Sequence, residues 1–198
     1  MTAQKSCKLC LKTSNNFQVI EEIIREILDV LLLKIEFTLN EDYVICECCA
    51  DSVYTFFEFK SVCLYSEDRM VPFIRTMNGT EVDIAEVAYL KENSGTATKS
   101  NRNDVVCRLC LKRDRCVDLN VLNENFMEDI FARCIPEVDI KSTRDPKICL
   151  SCQTSLLNYY EFVTKCSTKQ ENIMECDDWE AIKSEELDIK TDEDECDG

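Results

Sequence analysis

The chain has 198 residues, a formal net charge of −16, fifteen cysteines and no histidine. Without histidine, no finger of two cysteines and two histidines and no Ser-His-Asp or Cys-His catalytic arrangement can form within it. The acid excess supplies no general basic face for nucleic-acid phosphates. No run reaches the roughly 18 apolar residues that a membrane span needs, the longest candidate, Ile27 to Leu33, being broken by Asp29.

Met1 to Ser6 lead into Cys7 without an apolar stretch, so no secretory signal is expected. The cysteine count is odd, and the cysteines fall in C-x-x-C pairs instead of being dispersed. Both features point to thiolates in a reducing compartment, not to a disulfide scaffold. The first pair is Cys7-Lys8-Leu9-Cys10-Leu11. After it, Ile20, Ile23, Ile24, Ile27, Leu28 and Leu31 recur at helical spacing and predict an amphipathic helix ending near Leu33. Ser14, Asn15 and Asn16 are its candidate caps, and Glu21 and Glu22 suit its first turns. Ile35, Phe37 and Leu39 then alternate with polar residues, the pattern of a short strand. The second pair is Cys46-x-x-Cys49, from which a second helix starts, with Val53, Phe56, Phe57, Lys60, Cys63 and Leu64 on its stripe. Pro72 is expected to end or kink it near Val71.

Residues 79–104 read as a linker, flexible from Asn93 onward, with Val82 to Leu90 as a candidate helical extension of the first unit. The pattern then repeats. Cys107-Arg108-Leu109-Cys110-Leu111 is answered by Cys149-x-x-Cys152, with 38 residues between the pairs against 35 in the first copy. Phe126, Ile130, Phe131 and Cys134 predict a helix stopped by Pro136, and Val138 and Ile140 predict a strand. The segment from Cys152 to Cys166 lies over that from Cys49 to Cys63 without a gap, Tyr159-Tyr160 taking the place of Phe56-Phe57. The chain is therefore read as two units, 5–78 and 105–175, followed by an acidic tail, 176–198, expected to be disordered.

Two C-x-x-C knuckles supply the four soft ligands of a tetrahedral zinc site. Cys7, Cys10, Cys46 and Cys49 are assigned to one ion, and Cys107, Cys110, Cys149 and Cys152 to another, giving two structural Zn2+ per chain. Cys48 is read as a spectator because the repeat pairs Cys46 with Cys49. Four thiolates leave no position for water, so the sites are structural and no enzyme activity is expected. Cys63 and Cys166 read as small buried hydrophobes, and Phe56, Phe57, Tyr159 and Tyr160 as core residues or interface candidates. Lys183 and Lys190 stand in apolar-Lys-x-acid settings that resemble sumoylation sites.

Taken together, Cys-[Arg/Lys]-Leu-Cys-Leu, a helix, Asp145-Pro146-Lys147-Ile148 before Cys149-x-x-Cys152, an aromatic pair, Glu-Phe and a cysteine fourteen residues after the last ligand resemble the zinc-finger-associated domain (ZAD) of arthropod nuclear proteins. The resemblance covers both units and is closer in the second, since the first has Lys8 and Asp42-Tyr43 at the matching places. It implies an α+β fold of two small zinc-stabilised domains. Each would be a treble-clef-like four-cysteine knuckle with a short β element and a long C-terminal helix. It also implies a nuclear homodimerisation or protein-interaction role. The family module usually precedes an array of classical fingers, which this chain lacks.

The expected function is thus association with itself or with other ZAD proteins, linked to transcription or chromatin through partners. A linker of about 26 residues spans on the order of 28 Å, so the two units can pair within a chain or between chains. The competing reading is a DNA-binding transcription factor or the N-terminal part of one, with Lys112-Arg113-Asp114-Arg115 as its small basic cluster. A RING-like ligase would need eight interleaved ligands in one domain, and the repeat separates them into two fours.

Overall fold

In the first unit the apolar stripe of Ile24, Ile27 and Leu28 forms one buried face of a nine-residue helix, α1 (Glu22–Val30), in a computed structural model of the chain. The structure describes residues 5–13, 16–38, 42–76, 82–84, 87, 105–119 and 124–188. Ile20 and Leu31 of the expected stripe are also buried but flank the helix, while Ile23 is 64% exposed. The helix begins at Glu21 without a side-chain cap. Asn16 instead donates to the Glu47 carboxylate at 3.5 Å, and Ser14 and Asn15 lie outside the described residues.

The strand expected at Ile35 to Leu39 is not formed by the residues described there. Ile35 and Phe37 are partly buried against the core, with Phe37 edge-on to Tyr43 at 5.3 Å. Period two reports alternate burial in any extended segment, and here it reports loop packing without a ladder. The sheet lies elsewhere. β1 (Phe17–Val19) pairs antiparallel with β2 (Val44–Cys46), setting Phe17 opposite Cys46. From β2 the chain passes directly into α2 (Glu47–Thr76). Pro72 sits inside α2 without ending it. The turn around Pro72 keeps its packing, because Met70 is fully buried and Phe73 and Ile74 lean on the same apolar cluster.

The second unit repeats this order. β3 (Cys116–Asp118) pairs antiparallel with β4 (Lys147–Cys149), with Cys116 opposite Cys149, and α3 (Glu124–Cys134) lies between them in sequence. α3 stops before Pro136, as expected. Val138 is buried in a loop and Ile140 opens a short 3-10 turn, so neither is in a strand. α4 (Leu150–Asp188) follows β4 and runs past residue 175, the boundary that charge alone set for the second unit. The run to Asp188 contains no glycine or proline, and its Glu180, Ala181, Lys183, Glu185, Glu186 and Leu187 favour helix whatever their net charge. Residues 189–198 lie outside the described residues.

Among the described residues, two antiparallel two-stranded sheets and four principal helices make a small α+β fold. One core cluster contains buried residues of both repeats, among them Leu9, Leu28, Val53 and Phe56 with Leu109, Ile130, Leu156 and Tyr159. A second cluster joins Met70 to Val82, Ile84, Val87, Val106 and Leu111. The beginning of the expected linker is therefore packed: Val82 forms a parallel bridge with Thr143, its N–H donating to the Ser142 carbonyl at 2.9 Å.

Candidate metal centres

Each first C-x-x-C closes the same backbone turn. The Leu11 N–H donates to the Cys7 carbonyl at 2.8 Å, and the Leu111 N–H to the Cys107 carbonyl at 2.9 Å. A ladder pair follows in each, from Cys7 N to Lys12 O at 3.0 Å and from Cys107 N to Lys112 O at 2.9 Å. Leu11 and Leu111 carry φ of 59° and 55°, the left-handed region a glycine would fill without strain. The knuckle is then tied to the sheet: Lys8 N reaches Val44 O at 2.8 Å, and Arg108 N reaches Lys147 O at 2.7 Å. The second pair of each unit straddles the end of a strand and the first turn of a long helix. There the helix N-terminus and free N–H groups favour thiolates, and Cys152 N already points at Cys149 Sγ from 3.4 Å.

These constraints bring Cys7, Cys10, Cys46 and Cys49 together, and likewise Cys107, Cys110, Cys149 and Cys152, with all four sulfurs of each group within 4.8 Å of one another. Cys10 and Cys46 are 3.7 Å apart through their sulfurs, and Cys110 and Cys149 are 4.0 Å apart. A tetrahedron with metal–sulfur bonds of about 2.3 Å has edges of about 3.8 Å. Both groups therefore fit a tetrahedral thiophilic ion, and each could hold one. Cys48 is exposed and outside the first group.

Four thiols this close cannot all ionise without a cation. The Cys49 hydrogen bond holds the Cys7 thiol down to about 4, while Cys49 itself is pushed strongly up by that same bond, by burial and by the Cys7 charge. In the second group, hydrogen bonds from Cys107 and Cys152 hold Cys110 down to about 4, and Cys152 is pushed up in return. A divalent ion would replace these shared protons, as metal binding to thiolates generally does.

Three of the remaining cysteines behave as apolar fillers. Cys63, Cys134 and Cys166 are buried, and burial raises each thiol to about 12. Cys63 in α2 nevertheless feels the charges of Cys107 and Cys110, and Cys166 in α4 those of Cys7 and Cys10. Each long helix thus runs beside the knuckle of the other repeat.

The interface candidates divide. Phe56 and Tyr159 stack at 5.2 Å with an interplanar angle of 17°, and Tyr159 donates to the Leu31 carbonyl at 2.9 Å. Tyr160 instead stays with its own unit, donating to Asp129 at 2.6 Å and meeting Phe126 edge-on. Phe57 is partly buried against the core. Of the modification candidates, Lys183 lies in α4 and Lys190 outside the described residues.

Sequence reasoning missed the buried charges. Arg108 is fully buried and ion-paired with Glu67 at 2.5 Å, and Lys60, also fully buried, pairs with Glu137 at 3.0 Å. The available signals were a lysine on the apolar stripe of α2 and an arginine between two ligands. No helix among the described residues is long and apolar enough to cross a membrane. No protein-family model matches the sequence, and no curated protein or solved structure matches it either.

Proposed function

We propose that the chain is a zinc-held association module that works in the nucleus and reaches transcription or chromatin through partners. Zinc is the ion that four thiolates with edges near 3.8 Å suit best, and a closed set of four gives it a structural task. The knuckle, the short two-stranded sheet and the long helix that starts at the third and fourth ligands make a treble-clef-like unit in this reading, present twice. This reading keeps the resemblance to the zinc-finger-associated domain and the nuclear setting that it implies.

The observation that carries the association reading is the stack of Phe56 on Tyr159. The alignment that places Cys49 on Cys152 also places Phe56 on Tyr159. Contact between equivalent residues is what a local twofold axis, the relation found in symmetric dimers, would produce. The face that joins the repeats is the association surface of this reading.

Native mass spectrometry of the zinc-loaded full chain tests the metal-held basis of this reading. Two zinc ions per chain with intact thiols are expected. Bound zinc absent at neutral pH, or disulfides in place of thiols, would remove the basis of the proposal.

A further inference from the structure

The crossing of the two repeats is not symmetric in its charges. The alignment that sets Cys49 on Cys152 sets Lys60 on Val163 and Glu67 on Gln170, and the one that sets Cys7 on Cys107 sets Lys8 on Arg108. On one side of the local axis, the Arg108 guanidinium is fully buried. Its Nε donates to Thr143 Oγ1 at 2.7 Å, and one terminal nitrogen donates to the Asp139 carbonyl at 3.0 Å and to the Glu67 carboxylate at 2.5 Å. Asp139 N also approaches Glu67 Oε1, at 3.5 Å. Glu67 belongs to the first repeat and the rest to the second. On the other side, Lys8 lies over the ring of Tyr43 in its own unit, 4.6 Å from the centroid, and Lys169 donates to the Cys10 carbonyl at 2.7 Å.

Lys60 gives a second asymmetry. It is fully buried in the first repeat and meets Glu137 of the second, two residues past Ile135. Ile135 and Leu31 each stand one residue past the end of their short helix, each donating to a carbonyl four residues back, Phe131 or Ile27, at 2.9 Å. The four residues after Leu31 are Leu32, Leu33, Lys34 and Ile35, with no acid among them.

Three pairings can be compared on this geometry. Two first units would bury Lys60 against leucines and Lys34. Two second units would bury Arg108 without the acid of Glu67, since the sequence has glutamine at the matching position 170. Only a first unit against a second gives both buried cations an acid. A buried charge stripped of its partner is strongly disfavoured, whereas the attraction of a kept pair adds little, so this acts by penalising the wrong combinations.

We propose that Arg108–Glu67 and Lys60–Glu137 form a selectivity lock that makes the second unit the partner of the first and excludes like-with-like pairing. This rests on the association reading above. A tandem chain thereby occupies its own dimerisation faces, and what it recruits must bind elsewhere.

The test starts from the folded, zinc-loaded full chain carrying a protease site at Ser94–Thr98, cut after folding and mixed with an isotopically heavy copy. Native mass spectrometry then identifies which halves are joined. The expected result is first–second pairs alone, with like pairs suppressed on the order of a hundredfold or more. Like pairs in comparable amount would overturn the lock while leaving the association reading intact; zinc-loaded halves that simply part would overturn the association reading. The variant Lys60→Val with Gln170→Glu removes one lone cation and gives the other an acid, and should raise the like pairs by a similar factor. Like pairs unchanged by it would overturn the assignment to these residues.

Discussion

Phe56 and Tyr159 occupy the same place in two copies of one motif, yet they touch each other, with ring centroids 5.2 Å apart. Tyr159 is fully buried and Phe56 is nearly so. Removing either ring should open the junction and loosen both repeats at once. Phe56→Ala or Tyr159→Ala is expected to cost about 3–5 kcal/mol in urea unfolding, with the two halves still melting together or separating into two transitions. Tyr159→Phe keeps the stack and strands the Leu31 carbonyl, costing about 1–2 kcal/mol.

The metal centres make a second prediction. Cys49→Ser should lower the zinc count from two to one, and Cys152→Ser should do the same at the other site; the double variant should bind none. Structural zinc in small domains contributes about 10 kcal/mol or more. A chelator should therefore abolish the near-ultraviolet circular dichroism of the native chain, and acidification should release zinc as thiolates take up protons. Retention of tertiary signal in zinc-free protein would contradict this.

The two left-handed leucines should respond in opposite ways to glycine. Leu11 is 38% exposed, so Leu11→Gly relieves the strained φ while removing little packing, and is expected to be neutral or stabilising by up to about 1 kcal/mol. Leu111 is 4% exposed and packs in the cluster with Met70 and Val82. Leu111→Gly gains the same relief but loses a buried side chain, and should destabilise by about 2 kcal/mol or more. Thermal unfolding of the pair, measured side by side, separates backbone strain from burial.

Cys134 should set part of the alkaline limb of stability. Burial raises its thiol to about 12 in the folded chain, against roughly 8.5 for a free cysteine. Between those values the unfolded chain has released the proton that the folded one keeps, so the unfolded state gains and stability falls as pH rises. The contribution is intact below about pH 8 and declines above it. Cys134→Ala should flatten the slope of unfolding free energy between pH 9 and 11; an unaltered slope would assign the alkaline loss to other groups.

The candidate metal ligands were legible because a tight turn needs two fixed intervals, and fixed intervals survive in a linear string. The eight cysteines stand out by spacing alone, and Cys48 was set aside by register alone. α1 and α3 were legible through their stripes, although Ile23 was placed on the buried face and is exposed. The strands were not legible. Phe17–Val19 and Cys116–Asp118 are three residues each, too short for a period to emerge, and they exist because the knuckle turn delivers them alongside β2 and β4. The alternation at Ile35 and Phe37 marked burial without pairing. Pro72 misled because a local rule was outweighed by packing on both sides of it. The ion pairs of Arg108 with Glu67 and of Lys60 with Glu137 could not be read, since each joins residues of different repeats.

The bridge between Val82 and Thr143 bears on how the chain finds this arrangement. It closes a loop of about 60 residues, whereas the Phe56–Tyr159 stack closes one of about 100. The shorter loop is cheaper in chain entropy by about 0.5 kcal/mol. Thr143 is also the hydroxyl that receives Arg108 Nε. A segment that looks like a mere tether is thus placed to arrive early in folding, holding the second repeat beside α2 so that the long helices meet in one register instead of searching for it.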